Sequence, residues 1–390
     1  MNKRTTKTPA NPFRFTRVTL ENWRNFEHIE VALQRRVFLA GPNASGKSNF
    51  LDVFRFLHDL VSVGGGFQEA VRKRGGVSKL RCLAARRYPD VTILVDIGDD
   101  ETPATWTYGL CFNQDKRGQA YIKTEVVFRN GRLILNRPDA SDQSDQERLT
   151  QTYLEQVNAN QEFRQVADVF AAVRYLHIVP QLIREPDRSV GRNEDPYGGD
   201  FLEQIARTPV RTQSAWLRRI REALQVAVPQ LQELEMFRDD RGTPHLRGKY
   251  EHWRPQGAWQ TEEQFSDGTL RLMGLLWITL SDRGPLLLEE PELSLHSDVV
   301  RYLPQMFARV QRRTGRQVMI STHSRELLED TGIAPDEVLV LEPAPNGTKV
   351  HLATEFKEIE SLLDGGQSIA DAVIPRTSPK RADQLMLFGD

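Results

Sequence analysis

The stretch Gly41-Pro42-Asn43-Ala44-Ser45-Gly46-Lys47-Ser48 fits the pattern G-x-x-x-x-G-K-[ST], and that pattern dictates its own surroundings. It works between a buried strand and a helix, because backbone N–H groups and the open end of a helix must converge on one anion. Both neighbours are legible. Val37-Phe38-Leu39-Ala40 is a short apolar run of strand type, and Asn49 to Leu60 reads as a helix. A strand–loop–helix unit of this kind predicts an α/β fold. Lys47 adds a point charge for the phosphates, and the Ser48 hydroxyl can ligate Mg²⁺. Gly41 to Asn49 are therefore the expected phosphate cradle.

Composition narrows the setting. The 390 residues suffice for two domains or one elaborated domain, and 39% hydrophobic with 27% charged residues suits a soluble globular chain. No apolar run approaches the roughly 20 residues of a membrane helix, so no membrane partner is expected. Met1 to Pro12 is polar and basic, which predicts a disordered N-terminus rather than a secretory signal. Cys82 and Cys111 lie far apart with no CxxC pairing. That spacing argues against a metal or disulfide framework and predicts a reducing, cytoplasmic location. A formal net charge of −1 gives no global argument for nucleic acid.

A second group of residues lies far downstream. The loop Phe265-Ser266-Asp267-Gly268-Thr269 opens an apolar helix that runs to about Leu280. Pro285 to Leu288 reads as a buried strand ending in Glu289-Glu290. Two carboxylates at the end of an apolar strand suit a metal ligand and a base: Glu289 would hold Mg²⁺, directly or through water, and Glu290 would polarise the attacking water. Arg316 to Ser321 gives another buried strand, ending at Thr322-His323-Ser324.

In this order the motifs resemble those of ABC-class ATPases of the RecF/OLD/SMC-like group, including the PtuA/RloA-like phage-defence type. Ser266-Asp267-Gly268 resembles the signature loop, Leu288-Glu289-Glu290-Pro291 the Walker B strand, Ser294-Leu295-His296 the D-loop, and Thr322-His323-Ser324 the switch histidine. Leu20-Glu21-Asn22-Trp23-Arg24-Asn25-Phe26 looks like the L-x-N-F-R-x-F strand of the same group. Glu289 stands where Walker B usually carries Asp, and Asp267 and Thr269 where transporters carry Gly and Gln; both departures recur in the RecF/OLD-like branch. The Q-loop glutamine is not placed; Gln68 is a candidate, set against an exposed loop residue.

The resemblance implies an ABC-type ATPase head, a two-lobed P-loop fold with an antiparallel β subdomain and a compact, mainly helical insertion. It implies ATP and Mg²⁺ as cofactors, with Arg24 near the phosphates, His323 at the γ-phosphate, and Lys47 neutralising charge. It also implies a homodimer in which ATP lies between the phosphate loop of one copy and Ser266, Asp267 and Gly268 of another. The expected organisation is a tail over 1–12, a first lobe over 13–135, the insertion over 136–255, a second lobe over 256–350 and a C-terminal extension over 351–390.

Within that frame, Pro89 to Phe128 alternates in strand fashion, and Asn130-Gly131 marks a hairpin turn. Pro138 to Glu147 reads as a loop and Val173 to Val179 as a strand, and no sustained heptad pattern appears. From Arg72 to Arg87 the chain carries seven basic residues and no acid. Arg72, Lys73, Arg74, Lys79 and Arg81 are thus candidates for a nucleic-acid backbone, set against a solvated loop. Near the end, Gln384-Leu385-Met386-Leu387-Phe388 resembles the Q-L-x-L-F peptide that binds the bacterial sliding clamp. Gln384, Leu385, Leu387 and Phe388 would make that contact. Two functions are expected from this set. One is a dimeric ATP switch in DNA-linked phage defence that controls a separate effector, a nuclease or toxin. The other is a RecF-like repair ATPase that binds DNA and the clamp.

Overall fold

Along β1 (Arg14–Trp23), Val18 and Leu20 face inward while Arg17 and Glu21 face solvent, and this alternation sets one sheet of the chain. The computed structural model describes residues 13–84, 89–188, 195–251, 258–281 and 284–378, together with Gln384 and Met386. The chain divides into two units: Met1–Arg174, Arg283–Leu287 and Pro304–Asp390 form the first, and Tyr175–Asp282 and Leu288–Leu303 the second.

In the first unit β1 pairs with β2 (Phe26–Ala32); β3 (Arg36–Ala40) belongs to another sheet. The strands β4 (Val91–Gly98), β5 (Trp106–Gln114), β6 (Ala120–Arg129) and β7 (Arg132–Arg137) complete an antiparallel sheet in the order β2-β1-β4-β5-β6-β7. The β6–β7 hairpin turns at Asn130 (φ 48°) and Gly131 (φ 74°), the left-handed pair that an Asn-Gly turn requires.

The remaining strands are β8 (Arg174–Leu176), β9 (Leu231–Arg238), β10 (Pro244–Tyr250), β11 (Ala258–Thr261), β12 (Leu286–Glu289), β13 (Val318–Thr322), β14 (Val338–Ala344) and β15 (Gly347–Leu352). β3 lies between β13 and β14, parallel to both, in a sheet of order β15-β14-β3-β13-β12-β8. Strands buried on both faces need no alternation, which is why Val37 to Ala40 is apolar throughout and at most 1% exposed. Helix α1 (Lys47–Val61) follows, burying Phe50, Phe54, Phe56 and Leu57. Phe54 packs on Phe15 at 4.7 Å between ring centroids, and Phe56 stacks on Phe112 at 5.6 Å.

Three local readings change. The basic run is not an open loop. It forms α2 (Phe67–Lys73) and α3 (Val77–Leu80), and its Arg86 and Arg87 lie outside the described residues. Pro138 to Glu147 holds a short helix, Ala140–Ser144, capped by Asp139. The buried Arg137 bonds Asp142 (2.8 Å) and Glu125 (2.9 Å), so this segment is tied to the sheet. The predicted strand at Val173 is only Arg174–Leu176.

The second unit packs the helices Phe201–Arg207, Val210–Leu224 and Asp267–Ser281 around Trp277, Leu217, Ile220 and Phe201. The expected helices of the insertion are present. So is an antiparallel sheet, β11-β10-β9, whose inward Leu231, Leu234 and Leu246 join the same core. Among the described residues, no helix is long and apolar enough to cross a membrane.

Candidate nucleotide site

The phosphate loop leaves β3 through two left-handed residues, Ala44 (φ 64°) and Gly46 (φ 97°). Gly46 allows no side chain: a Cβ there would stand 2.2 Å from the Asn25 side-chain nitrogen. That contact identifies the brace beneath the loop. Asn25 Nδ2 donates to the Ser45 carbonyl (2.9 Å) and to Thr348 Oγ1 (2.7 Å), and its Oδ1 accepts from Asn49 Nδ2 (2.8 Å). Trp23 Nε1 donates to the Asn49 carbonyl (2.8 Å). In a planar trans peptide the C=O and the following N–H point in opposite directions. By holding the Ser45 carbonyl, Asn25 therefore turns the Gly46 N–H away from itself, toward the side where a phosphate can be received.

Lys47 is 6% exposed, and its ammonium donates to the carbonyls of Gly41 (2.8 Å) and Pro42 (3.2 Å). Asn43, Ala44 and Ser48 are exposed. On the neighbouring strand β13, Thr322 pairs in register with Ala40, so His323 and Gly41 leave the sheet side by side. His323 is exposed there. Ligand sites at the carboxyl ends of parallel strands follow from this topology.

Arg24, expected near the phosphates, is half-buried and held by a carboxylate. It pairs with Asp52 (2.9 Å) on α1, and Asp52 also holds Arg74 (2.8 Å). Burial pushes the Asp52 carboxyl up, but Arg74 and Arg24 outweigh it and leave its pKa below the ordinary value. Arg74 is 9% exposed and also binds Asp59 (2.8 Å), so it serves the interior of the first unit rather than a nucleic-acid strip. Arg72 pairs with Glu69 and Lys73 with Asp59. Lys79 is exposed and Arg81 half-buried. Gln68 donates to the carbonyls of Ala120 (2.8 Å) and Thr150 (2.9 Å), which tie its amide to two distant backbone segments.

In the second unit, β12 ends at Glu289, and the Tyr175 hydroxyl donates to its carboxylate. His177 Nδ1 lies 3.3 Å from the Glu289 carbonyl. Glu290 follows at φ 43°, a left-handed conformation uncommon for a residue with a Cβ. Such backbone settings persist where surrounding structure imposes them, frequently at functional sites. The signature loop is built with equal economy. Ser266 Oγ accepts from the Thr269 N–H (3.2 Å) at the start of helix Asp267–Ser281. Gly268 packs on the Ser294 carbonyl, where an added Cβ would approach to 2.5 Å.

Residues 36–329 match the family described as "AAA domain, putative AbiEii toxin, Type IV TA system". The chain belongs to this AAA-domain family. Over 66 residues it is also 35% identical to the endonuclease GajA of Bacillus cereus (strain VD045). That segment is 17% of this chain and 11% of the relative, so the match spans about a tenth of the curated protein's length. Among solved structures, the Smc head bound to the C-winged helix domain of ScpA superposes with a TM-score of 0.52 at 12% identity, covering 86% of this chain and 96% of that one. An Smc head with an extended coiled coil, bound to the C-terminal domain of ScpA and derived from Pyrococcus furiosus, gives 0.51 at 12% identity over 91% and 100%. At such identities the likeness is one of fold. This AAA-domain chain has the α/β fold of an ATPase head that its motifs predict.

Asn25 is the residue that motif reading left without a role, although it stands inside the quoted Leu20–Phe26 segment. Leu385, Leu387 and Phe388 of the clamp-type peptide lie outside the described residues; Gln384 is exposed.

Proposed function

We propose that this chain is an ATP-hydrolysing switch that dimerises head to tail around ATP and controls a separate effector, a nuclease or toxin, in cytoplasmic, DNA-linked phage defence. The geometry of Gly41 to Ser48 over Asn25 is the observation that carries the nucleotide reading. The phage-defence setting rests on the family and on the short GajA-like segment.

The residues present fit Mg²⁺ in kind: the exposed Ser48 hydroxyl and the Glu289 carboxylate, steadied by Tyr175, are hard oxygen donors. Among the described residues no group of three or more His, Cys, Asp or Glu forms a ready cage. Phosphate and water oxygens would complete the shell, as is usual for this ion, which would shield the phosphates' charge. Lys47 would exchange its loop carbonyls for phosphate oxygens. Glu290 would orient and polarise water, His323 would contact the γ-phosphate, and Ser266 with the Gly268 N–H would close on that phosphate from the second copy.

A Glu290→Gln variant at saturating ATP tests this. It should bind nucleotide, turn over slowly and sediment as a dimer; a monomer under those conditions would refute the sandwich. The RecF-like alternative, with DNA and the sliding clamp as partners, is favoured by the terminal Gln384–Phe388 peptide. The inward-facing Arg74 and the paired Arg72 and Lys73 weigh against it.

A further inference from the structure

The signature loop carries a charge of the wrong sign for its proposed task. Asp267 is the first residue of helix Asp267–Ser281, beside Ser266, and its side chain is 39% exposed. A carboxylate at a helix start is welcome to the helix, but it would repel a triphosphate arriving at the same place. The structure supplies a counterweight. Arg184 binds the Asp267 carboxylate at 2.6 Å and donates to the Phe265 carbonyl at 2.7 Å, so it spans Ser266 from both sides. Gln181 approaches the other Asp267 oxygen at 3.4 Å. The Arg184 side chain remains 24% exposed.

A second arginine lies one helical turn further on. Arg271 is four residues after Asp267 and so shares its helix face, and helical side chains lean toward the N-terminus. It is 7% exposed, yet its Nε and Nη1 have no hydrogen-bond partner among the described residues. Buried donors of this kind are costly unless a partner reaches them. Burial lowers the Arg271 pKa, while Asp267, Glu292 and Glu290 are the nearby charges that pull it back. A cationic side chain with two unmatched donors thus stands behind an aspartate that already holds another cation.

We propose that Arg184 is a triphosphate-binding residue acting in trans, released to the γ-phosphate of the partner copy's ATP when Asp267 passes to Arg271. This rests on the sandwich reading given above. The exchange leaves no charge alone: Asp267 trades one guanidinium for another, Arg271 gains an acceptor, and Arg184 moves from a carboxylate to a phosphate, for which the guanidinium fork is equally suited. Because Arg271 also lies near Glu290, the signature loop and the hydrolytic acid of one subunit would be electrostatically linked.

The test uses the Glu290→Gln chain as parent and reads two quantities: binding of a fluorescent ATP analogue to the monomer, and the ATP-dependent dimer constant by sedimentation. Arg184→Gln should leave monomer binding unchanged and weaken the dimer by about tenfold per site, hence about a hundredfold for a symmetric pair of sites. Arg184→Lys, which keeps the charge and loses the fork, should fall between. Asp267→Asn, which frees Arg184 in advance, should tighten the dimer. The proposal is overturned if Arg184→Gln dimerises like its parent, or if Arg184→Lys is as weak as Arg184→Gln; the latter would make Arg184 only a latch on the Phe265 carbonyl. If the parent itself fails to dimerise with ATP, the sandwich falls and this inference falls with it.

Discussion

Replacing Asn25 with alanine should cripple nucleotide binding without touching any residue of the phosphate loop. The side chain makes three hydrogen bonds, to the Ser45 carbonyl, Thr348 Oγ1 and Asn49 Nδ2. Each such bond contributes a net of about 0.5–1.5 kcal/mol. Asn25 is half-buried, so water can partly replace the lost partners, and the low end applies: about 1.5–3 kcal/mol in all. That energy holds the loop in its receiving conformation, with Ala44 and Gly46 in left-handed geometry. A binding-competent state that loses it becomes a minority state, and apparent affinity falls in proportion. The Kd for ATP, by titration calorimetry, should rise roughly ten- to a hundredfold at 1.4 kcal/mol per decade. Asn25→Asp is the sharper variant. It can still accept from Asn49 but sets a carboxylate against the Ser45 carbonyl, so it should bind no better than Asn25→Ala. If either variant kept a Kd within about twofold of the parent while its thermal midpoint dropped, Asn25 would be a fold staple only, and the account of the Gly46 N–H would be wrong.

Two further outcomes follow from close contacts. Gly268→Ala places a Cβ 2.5 Å from the Ser294 carbonyl oxygen, a strain of about 1–3 kcal/mol. ATP-dependent dimerisation measured by light scattering should weaken by roughly ten- to a hundredfold, with monomer ATP binding intact; unchanged dimerisation would remove this loop from the interface. The Asp52 carboxyl titrates lower in the folded chain than in the unfolded one. Its contribution is therefore fully present above the unfolded carboxylate pKa near about 4 and is lost as pH falls through the depressed folded value. Urea midpoints taken across that acid range should drop steeply for the parent. For Asp52→Asn, lower throughout because Arg24 and Arg74 lose the Asp52 charge, the slope should be shallower; parallel slopes would contradict the linkage.

The strands and the helix around the phosphate-loop motif were legible because they are written in contiguous residues. A buried parallel strand has no polar face to disguise it, so Val37–Ala40 and the run before Glu289 announced themselves, and the glycine pattern between β3 and α1 is recognisable from eight contiguous residues. The misreadings share one cause, a partner distant in sequence. Arg74 looked like surface charge because Asp52 and Asp59, which draw it inward, belong to the preceding helix. Gln68 read as an exposed loop residue because the carbonyls that hold it belong to Ala120 and Thr150. The β9–β10 pair went unnoticed because Leu231 to Arg238 places charged residues between its leucines, and the helices before it set the expectation.

The brace under the phosphate loop also bears on where this AAA-domain chain can be cut. The family match begins at residue 36 and ends at 329, yet Trp23 and Asn25 lie before it and Thr348 after it. A fragment trimmed to those limits would keep every residue of the glycine turn and lose what holds its peptide planes. Such a fragment would advertise a nucleotide pocket in its sequence and fail to form one in solution. Any minimal version of this head must therefore start upstream of Arg14 and run past Leu352, taking in the two strands that meet at Asn25.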